Sequence, residues 1–136
     1  MAFFDSKTST FKIDKTAGGS LQDISAYIND ISGLPGPRNL NEVTALGDGG
    51  AKFIPGLENA PFTISGIWDD TGSTGPDAIF GPLRIATQTL SFEYYPDAVQ
   101  KYSGECWITN FDIKSTVGSH VTYTCSLQVD GQVTRA

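Results

Sequence analysis

The sequence contains one histidine, one methionine and two cysteines, and only 18% of its 136 residues are charged. A single histidine leaves little scope for imidazole chemistry. His120 stands beside Gly118 and Ser119 in what reads as a turn, and no serine and carboxylate are marked to join it in a nucleophilic set. With Cys106 and Cys125 it could offer three metal ligands, yet no CxxC or HxxxH spacing supports a site. The first residues, Met1–Ala2–Phe3–Phe4–Asp5, do not read as a signal peptide. The two cysteines could face each other on neighbouring strands, but without a secretion signal they are expected to be reduced core thiols. No apolar run approaches the ~20 residues of a membrane span, so no membrane insertion is expected. Basic residues are also scarce: 9 Lys and Arg stand against 15 Asp and Glu, a net charge of −6. Phosphate neutralisation by a basic patch supplies most non-specific DNA affinity. Here the longest basic cluster is scattered over Lys7, Lys12 and Lys15, which argues against tight nucleic-acid binding.

Other chemical signals are thin. Asp69–Asp70 could be half of a glycosidase pair or a calcium ligand, but adjacent acids after a strand are more often a solvated turn. Gly47–Asp48–Gly49–Gly50 lacks the GK[ST] ending of a phosphate loop. Trp68, Trp107, Tyr94, Tyr95 and Tyr102 could make a sugar platform, yet they are spread over separate strands and read better as core and interface. No catalytic residue, metal or cofactor is expected.

What is present is turn chemistry and β pattern. There are 15 Gly and 7 Pro, a composition that leans away from helical bundles. From Val121 to Val129 the odd positions are Val121, Tyr123, Cys125, Leu127 and Val129, and the even ones are polar. Side chains of a strand alternate between faces, so this is a strand with one buried face. Glu105 to Lys114 is as rich in aromatic and β-branched residues but less regular. Trp107, Phe111 and Ile113 would share one face, Cys106 and Ile108 the other, which implies cover on both sides. The short connection Ser115–Ser119 joins the two segments as an antiparallel hairpin.

Along the chain, residues 1–10 read as an arm and Ser9–Asp14 as a short strand. Ser20 stands three residues before Asp23 as a helix cap, and Leu21, Ile24, Ile28 and Ile31 follow at helical spacing, which predicts one amphipathic helix ending at Ser32–Gly33. Residues 33–60 look irregular, with a turn of helix over Val43–Leu46 and a strand stub at Ala51–Ile54 stopped by Pro55–Gly56. Structureless stretches of this length are unusual in a compact domain and point to interaction. Phe62–Trp68 and Leu83–Tyr95 read as strands, with a helical turn at Asp77–Phe80 between them. The expected fold is mainly β: one domain over 1–136, an antiparallel sandwich or barrel with one short flanking helix and long arms.

The blocks Thr44–Asp48, Ile54–Leu57, Ser65–Asp69, Tyr102–Glu105, Ile108–Ile113 and Leu127–Arg135 form an ordered series from about residue 39 to the C-terminus. Together they resemble the major tail (tail tube) proteins of long-tailed phages. The loop Thr71–Pro82 departs from the pattern, being glycine- and proline-rich where a better helix is expected. The resemblance implies a structural virion protein and not an enzyme: hexameric rings stacked into a hollow tube with a continuous β-barrel as inner wall. It further implies a tape-measure protein, tail terminator and distal tail proteins as partners, passage of genomic DNA, and residence in the virion after assembly in the host cytoplasm. On this reading residues 33–60 contact neighbouring subunits through Leu34, Leu40, Val43, Leu46, Phe53, Ile54 and Leu57, and Glu93, Glu105 and Asp112 are candidates to face the lumen. The competing reading is a monomeric immunoglobulin-like or carbohydrate-binding sandwich.

Overall fold

The alternation after Val121 produces the longest pairing in the protein. In the computed structural model, which describes residues 6–16, 18–34, 36–58, 60–72, 75–97 and 99–135, Tyr102–Lys114 (β8) and Thr122–Arg135 (β9) form an antiparallel hairpin. Tyr123, Cys125, Leu127 and Val129 are buried along one face of β9, as the period of two requires.

The irregularity of β8 has a simple cause. Ile108 lies opposite Leu127, but Asn110 lies opposite Ser126 and Phe111 opposite Cys125, so the register slips by one residue at Thr109. An extra residue in one strand of a pair flips every later side chain to the other face. The core face is therefore Cys106 and Ile108 before the bulge, and Phe111 and Ile113 after it. Trp107 does not share a face with Phe111 and Ile113, and most of the apparent double-sidedness of this strand is the bulge.

Five further strands extend this hairpin into a seven-stranded antiparallel sheet that curls as a half-barrel. Thr10–Asp14 (β1), Leu21–Asp23 (β2), Asp30–Ser32 (β3), Pro61–Ile67 (β6) and Leu90–Tyr95 (β7) join it in the order β2-β1-β7-β8-β9-β6-β3. Arg38–Glu42 (β4) and Phe53–Glu58 (β5) stand apart as a separate two-stranded ribbon. The core lies in the curl. Phe11, Phe62 and Phe92 form one aromatic group, with centroids 5.1–6.3 Å apart. Phe80, Phe111 and Tyr123 form a second at 5.7–6.0 Å. The Phe11 and Phe92 rings stack and the other pairs are tilted, arrangements that add favourable quadrupole contacts to the buried area.

Phe80 comes from Pro76–Leu83 (α1), which covers the curl with Pro76, Ile79, Phe80 and Leu83. That is helical spacing on one face. Pro76 occupies the first turn, where its missing N–H costs nothing, and Pro82 falls near the end, where it removes one helical bond. The helix so formed takes Leu83 away from the strand expected over Leu83–Tyr95, which begins only at Leu90.

The helix expected over Leu21–Ile31 is absent. That segment is β2, a 3-10 turn at Ser25–Tyr27, and β3. It carries the chain from one edge of the sheet to the other across the mouth of the curl. Ile24 is fully buried, and Ile28 and Ile31 pack on the core as the chain passes. Their spacing of three and four arises from this crossing and not from a helical face. The crossing is tied on both sides. Ile24 N–H donates to the Phe11 carbonyl (3.1 Å), and Asn29 N–H to the Ser65 carbonyl (2.9 Å). The buried Tyr123 hydroxyl donates to the Tyr27 carbonyl at 3.0 Å.

Candidate functional site

The stretch expected to be irregular, 33–60, is instead mostly a hairpin. β4 and β5 pair antiparallel, with Leu40 opposite Pro55, Asn41 opposite Ile54 and Glu42 opposite Phe53. Gly and Pro do not prevent the pairing. Pro55 sits in a two-stranded ribbon, where a strand lacking one donor can turn that side to solvent. The expected turn of helix at Val43–Leu46 is not formed, and β5 runs on through Pro55 and Gly56 to Glu58. The tip is organised by Asp48. Its carboxylate accepts from Ala45 N–H (2.7 Å) and lies 3.0 Å from Lys52 Nζ. The Ala45 N–H, and then Lys52, hold the Asp48 carboxyl below its ordinary pKa.

Leu40, Val43, Phe53 and Ile54 on this ribbon are 47–55% exposed, and Leu46 at its tip is fully so. Leu34 stands apart and packs against the core of its own subunit. The side chain of Leu57 lies outside the described residues. A two-stranded ribbon has no core of its own and is marginal in water. This one carries five exposed large apolar side chains, a large apolar surface for so small an element.

The second surface is the face of the large sheet turned away from the core. Residues directly opposite in an antiparallel sheet share a face. Glu93 lies opposite Lys12 and Ser103, Glu105 opposite Ser91 and Asp130, and Asp112 opposite Thr124. All three candidate acids therefore lie on this polar face. Two of them are held within the subunit. Glu93 accepts from the Tyr95 hydroxyl (3.0 Å) and pairs with Lys101 at 3.5 Å. Glu105 accepts from the hydroxyls of Ser91 (2.6 Å) and Thr89 (2.9 Å). Asp112 is exposed.

The sequence reading missed a fourth acid. Asp14 is only 2% exposed and accepts from Ser91 N–H at 2.9 Å, so Asp14, Ser91 and Glu105 form a row across β1, β7 and β8. The available signal was its position, directly after the buried Ile13 and so on the outer face of β1. Burial raises the Asp14 pKa and the Glu105 charge adds to the effect, against the lowering by the Ser91 and Gly18 N–H groups. The carboxyl thus binds its proton more tightly folded than unfolded. As pH rises from the ordinary 3.8 through the raised folded value, ionisation penalises the folded state and stability is lost. Asp14→Asn keeps an acceptor for Ser91 but cannot ionise. Its melting temperature should match the parent at the acid end of this window and exceed it increasingly above. A difference that does not change with pH would show that Asp14 does not titrate this way.

The remaining sequence candidates stay separate. His120 is exposed in the β8–β9 turn. Asp69 caps its own turn by accepting from Thr71 N–H at 2.7 Å and from the Thr71 hydroxyl. Trp68 and Tyr94 pack on the core, so the aromatics form no common platform. Cys106 lies opposite Val129 and Cys125 opposite Phe111; both are free, buried thiols. Burial pushes Cys125 up to about 12 and Cys106 higher still. Among the described residues no group of three His, Cys, Asp or Glu is placed to hold a metal ion.

No protein-family model and no curated protein matches the chain. Solved structures do. The tail of an empty gene transfer agent particle, with C6 symmetry, superposes at a TM-score of 0.81 and 17% identity over 98% of this chain and 99% of that one. The chain has the tail tube fold. The SPP1 tail tube shares it at 0.74 and 15% identity, over 97% of this chain and 78% of that one. So does a chain from the sheath–tube complex of an extracellular contractile injection system, at 0.66 and 13% over 98% and 90%. The one α-helix among the described residues, Pro76–Leu83, overlaps the loop Thr71–Pro82 that departs from the sequence pattern.

Proposed function

We propose that this chain is the subunit of a phage-type tail tube, assembling as hexameric rings that stack into a conduit for DNA. The observation that carries the reading is likeness to a six-fold tail over nearly the whole of both chains. The exposed ribbon supports it, because Leu40, Val43, Leu46, Phe53 and Ile54 need a neighbouring subunit to leave water. The polar sheet face, with Glu93, Glu105 and Asp112, lines the lumen. Six chains of −6 each give a ring a formal charge of −36. A wall of that sign repels phosphates, so DNA slides without the counterion release that would hold it. The tube forms around a tape-measure protein, ends in terminator and distal tail proteins, and is built in the host cytoplasm before joining the virion.

Concentrated purified protein should form six-fold rings or tubes in negative-stain images. A strictly monomeric species by light scattering, at high concentration and with a tape-measure protein present, would overturn the reading.

A further inference from the structure

The bulge at Thr109 leaves one large aromatic side chain of β8 on the polar face. Before the bulge, Glu105 lies opposite Asp130, Cys106 opposite Val129 and Trp107 opposite Gln128. Cys106 and Val129 are buried in the core, so Glu105, Trp107, Gln128 and Asp130 project from the other side. Ile108 and Phe111 pack on the core cluster, and Trp107 does not. It stands half-buried, one indole among polar neighbours.

Two carboxylates flank it. Glu105 is two residues back on the same face of β8, and Asp130 lies on the diagonal across β9. Diagonal neighbours of this kind are about 7–8 Å apart, within reach of aromatic and long side chains. Like charges directly opposite destabilise a sheet, yet Glu105 faces Asp130. Among the described residues, ion pairs join Lys52 to Asp48 and Lys101 to Glu93, and none reaches these two acids. Lys12 on the same face lies over the Tyr95 ring at 5.6 Å. Glu105 is held in place by the hydroxyls of Thr89 and Ser91, one on each oxygen. An ionised carboxylate has about four acceptor positions, so both oxygens keep capacity for a further donor.

We propose that Trp107, Glu105 and Asp130 bind the guanidinium or ammonium group of a basic polypeptide lying along this face. An indole attracts an organic cation through its quadrupole. The carboxylates neutralise and orient the same group, an arginine by a two-pronged contact. The bound charge relieves the opposition of Glu105 and Asp130. A calcium or magnesium ion fits poorly, because such ions take about six to eight oxygen ligands and an indole supplies none. The face continues with Asn110, Asp112, Thr124 and Ser126, whose polar groups suit a peptide chain. Its acids repel nucleic acid. The inference rests on the tube reading for its location, which makes the occupant a basic segment inside the lumen. The site itself is complete in one subunit.

The test titrates the free subunit with acetylated triarginine amide in 0.1 M salt and follows amide and indole resonances. Shifts should centre on the Trp107 indole N–H and on Glu105, Gln128 and Asp130. Trp107→Leu should weaken binding roughly three- to tenfold, the loss expected of a cation–indole contact. Asp130→Asn should weaken it roughly tenfold, as a lost hydrogen bond to a charged group does. Asp112→Asn removes the same charge beyond the ~10 Å screening length and should change it by less than about twofold. Shifts spread over all the acids, or equal weakening by Asp130→Asn and Asp112→Asn, would overturn the site and leave only net charge. Spermidine, of equal charge, binding as tightly would overturn a polypeptide as the occupant. A short DNA duplex shifting the same resonances would overturn the choice of protein over nucleic acid. Trp107→Leu is exposed to misfolding, but Asp130 is a surface residue and its variant decides the site alone. Failure in these titrations leaves the tube reading intact, while a parent that never assembles overturns the tube and not the site.

Discussion

Gly66→Ala is expected to lower the melting temperature of the free subunit by roughly 10 °C or more. A Cβ built on Gly66 would collide with the Tyr27 carbonyl oxygen and lie 2.9 Å from its carbon and 3.0 Å from the Ile28 Cα. All three are backbone atoms, so no side-chain rotation relieves the clash. The chain crossing at 24–29 would have to lift from β6. Lifting it breaks the Asn29 N–H to Ser65 carbonyl bond and strands the buried Tyr123 hydroxyl, which donates to the Tyr27 carbonyl. Overpacking alone typically costs 1–3 kcal/mol, and an unsatisfied buried hydroxyl adds about 1–3 kcal/mol. For a chain of this size each kcal/mol moves the midpoint by a few degrees. A melt within about 2 °C of the parent would mean that the crossing does not sit on Gly66 as described.

The second large effect concerns assembly. Phe53→Asp should leave the free subunit folded and stop it from forming tubes. Phe53 is 52% exposed on the ribbon and belongs to no core cluster, so the isolated chain loses little. Surface substitutions away from special features usually stay within about 0.5 kcal/mol. When a neighbour covers the ribbon, the new carboxylate is buried without a partner, a penalty of several kcal/mol. About 3 kcal/mol corresponds to roughly a hundredfold rise in the concentration needed to assemble. Melting curves and sedimentation read the two halves separately. Normal tubes from this variant would remove the ribbon from the interface, and a collapsed melt would mean that it supports the fold.

Much of the fold could be read from the residues, for identifiable reasons. β9 buries one face cleanly, so Tyr123, Cys125, Leu127 and Val129 announce themselves by a period of two. β1 and β6 do the same over shorter spans. β8 concealed a bulge at Thr109, because one inserted residue makes a one-sided strand read as two-sided. Ile24, Ile28 and Ile31 imitated a helix because a chain crossing the mouth of a curled sheet also touches the core every few residues. The true helix was masked by Pro76 and Pro82, which suit the ends of a helix but read as loop. The ribbon was masked by Pro55 and Gly56, and its pairing depends on hydrogen bonds that apolar pattern does not report. The polar face was less visible: Glu93, Glu105 and Asp112 stand out only as acids on long strands, and strict alternation would put Glu105 and Asp112 on opposite faces, which the bulge at Thr109 brings together. Which hydroxyls hold them, and that Asp14 joins them through Ser91, depends on strand order, and no local pattern encodes that.

The separateness of the β4–β5 ribbon has a further consequence for how such a chain can change. Of its described side chains, none is buried, and it pairs with no strand of the large sheet. Sequence added at its tip, between Thr44 and Lys52, meets no core atom, and the entropic cost of a longer loop grows only as the logarithm of its length. The same chain could therefore carry inserted epitopes or small folded cargoes at Gly49–Gly50 while its body keeps its stability. In an assembled tube the neighbour that covers Leu46 and the rest of the ribbon would set the size of what could be inserted.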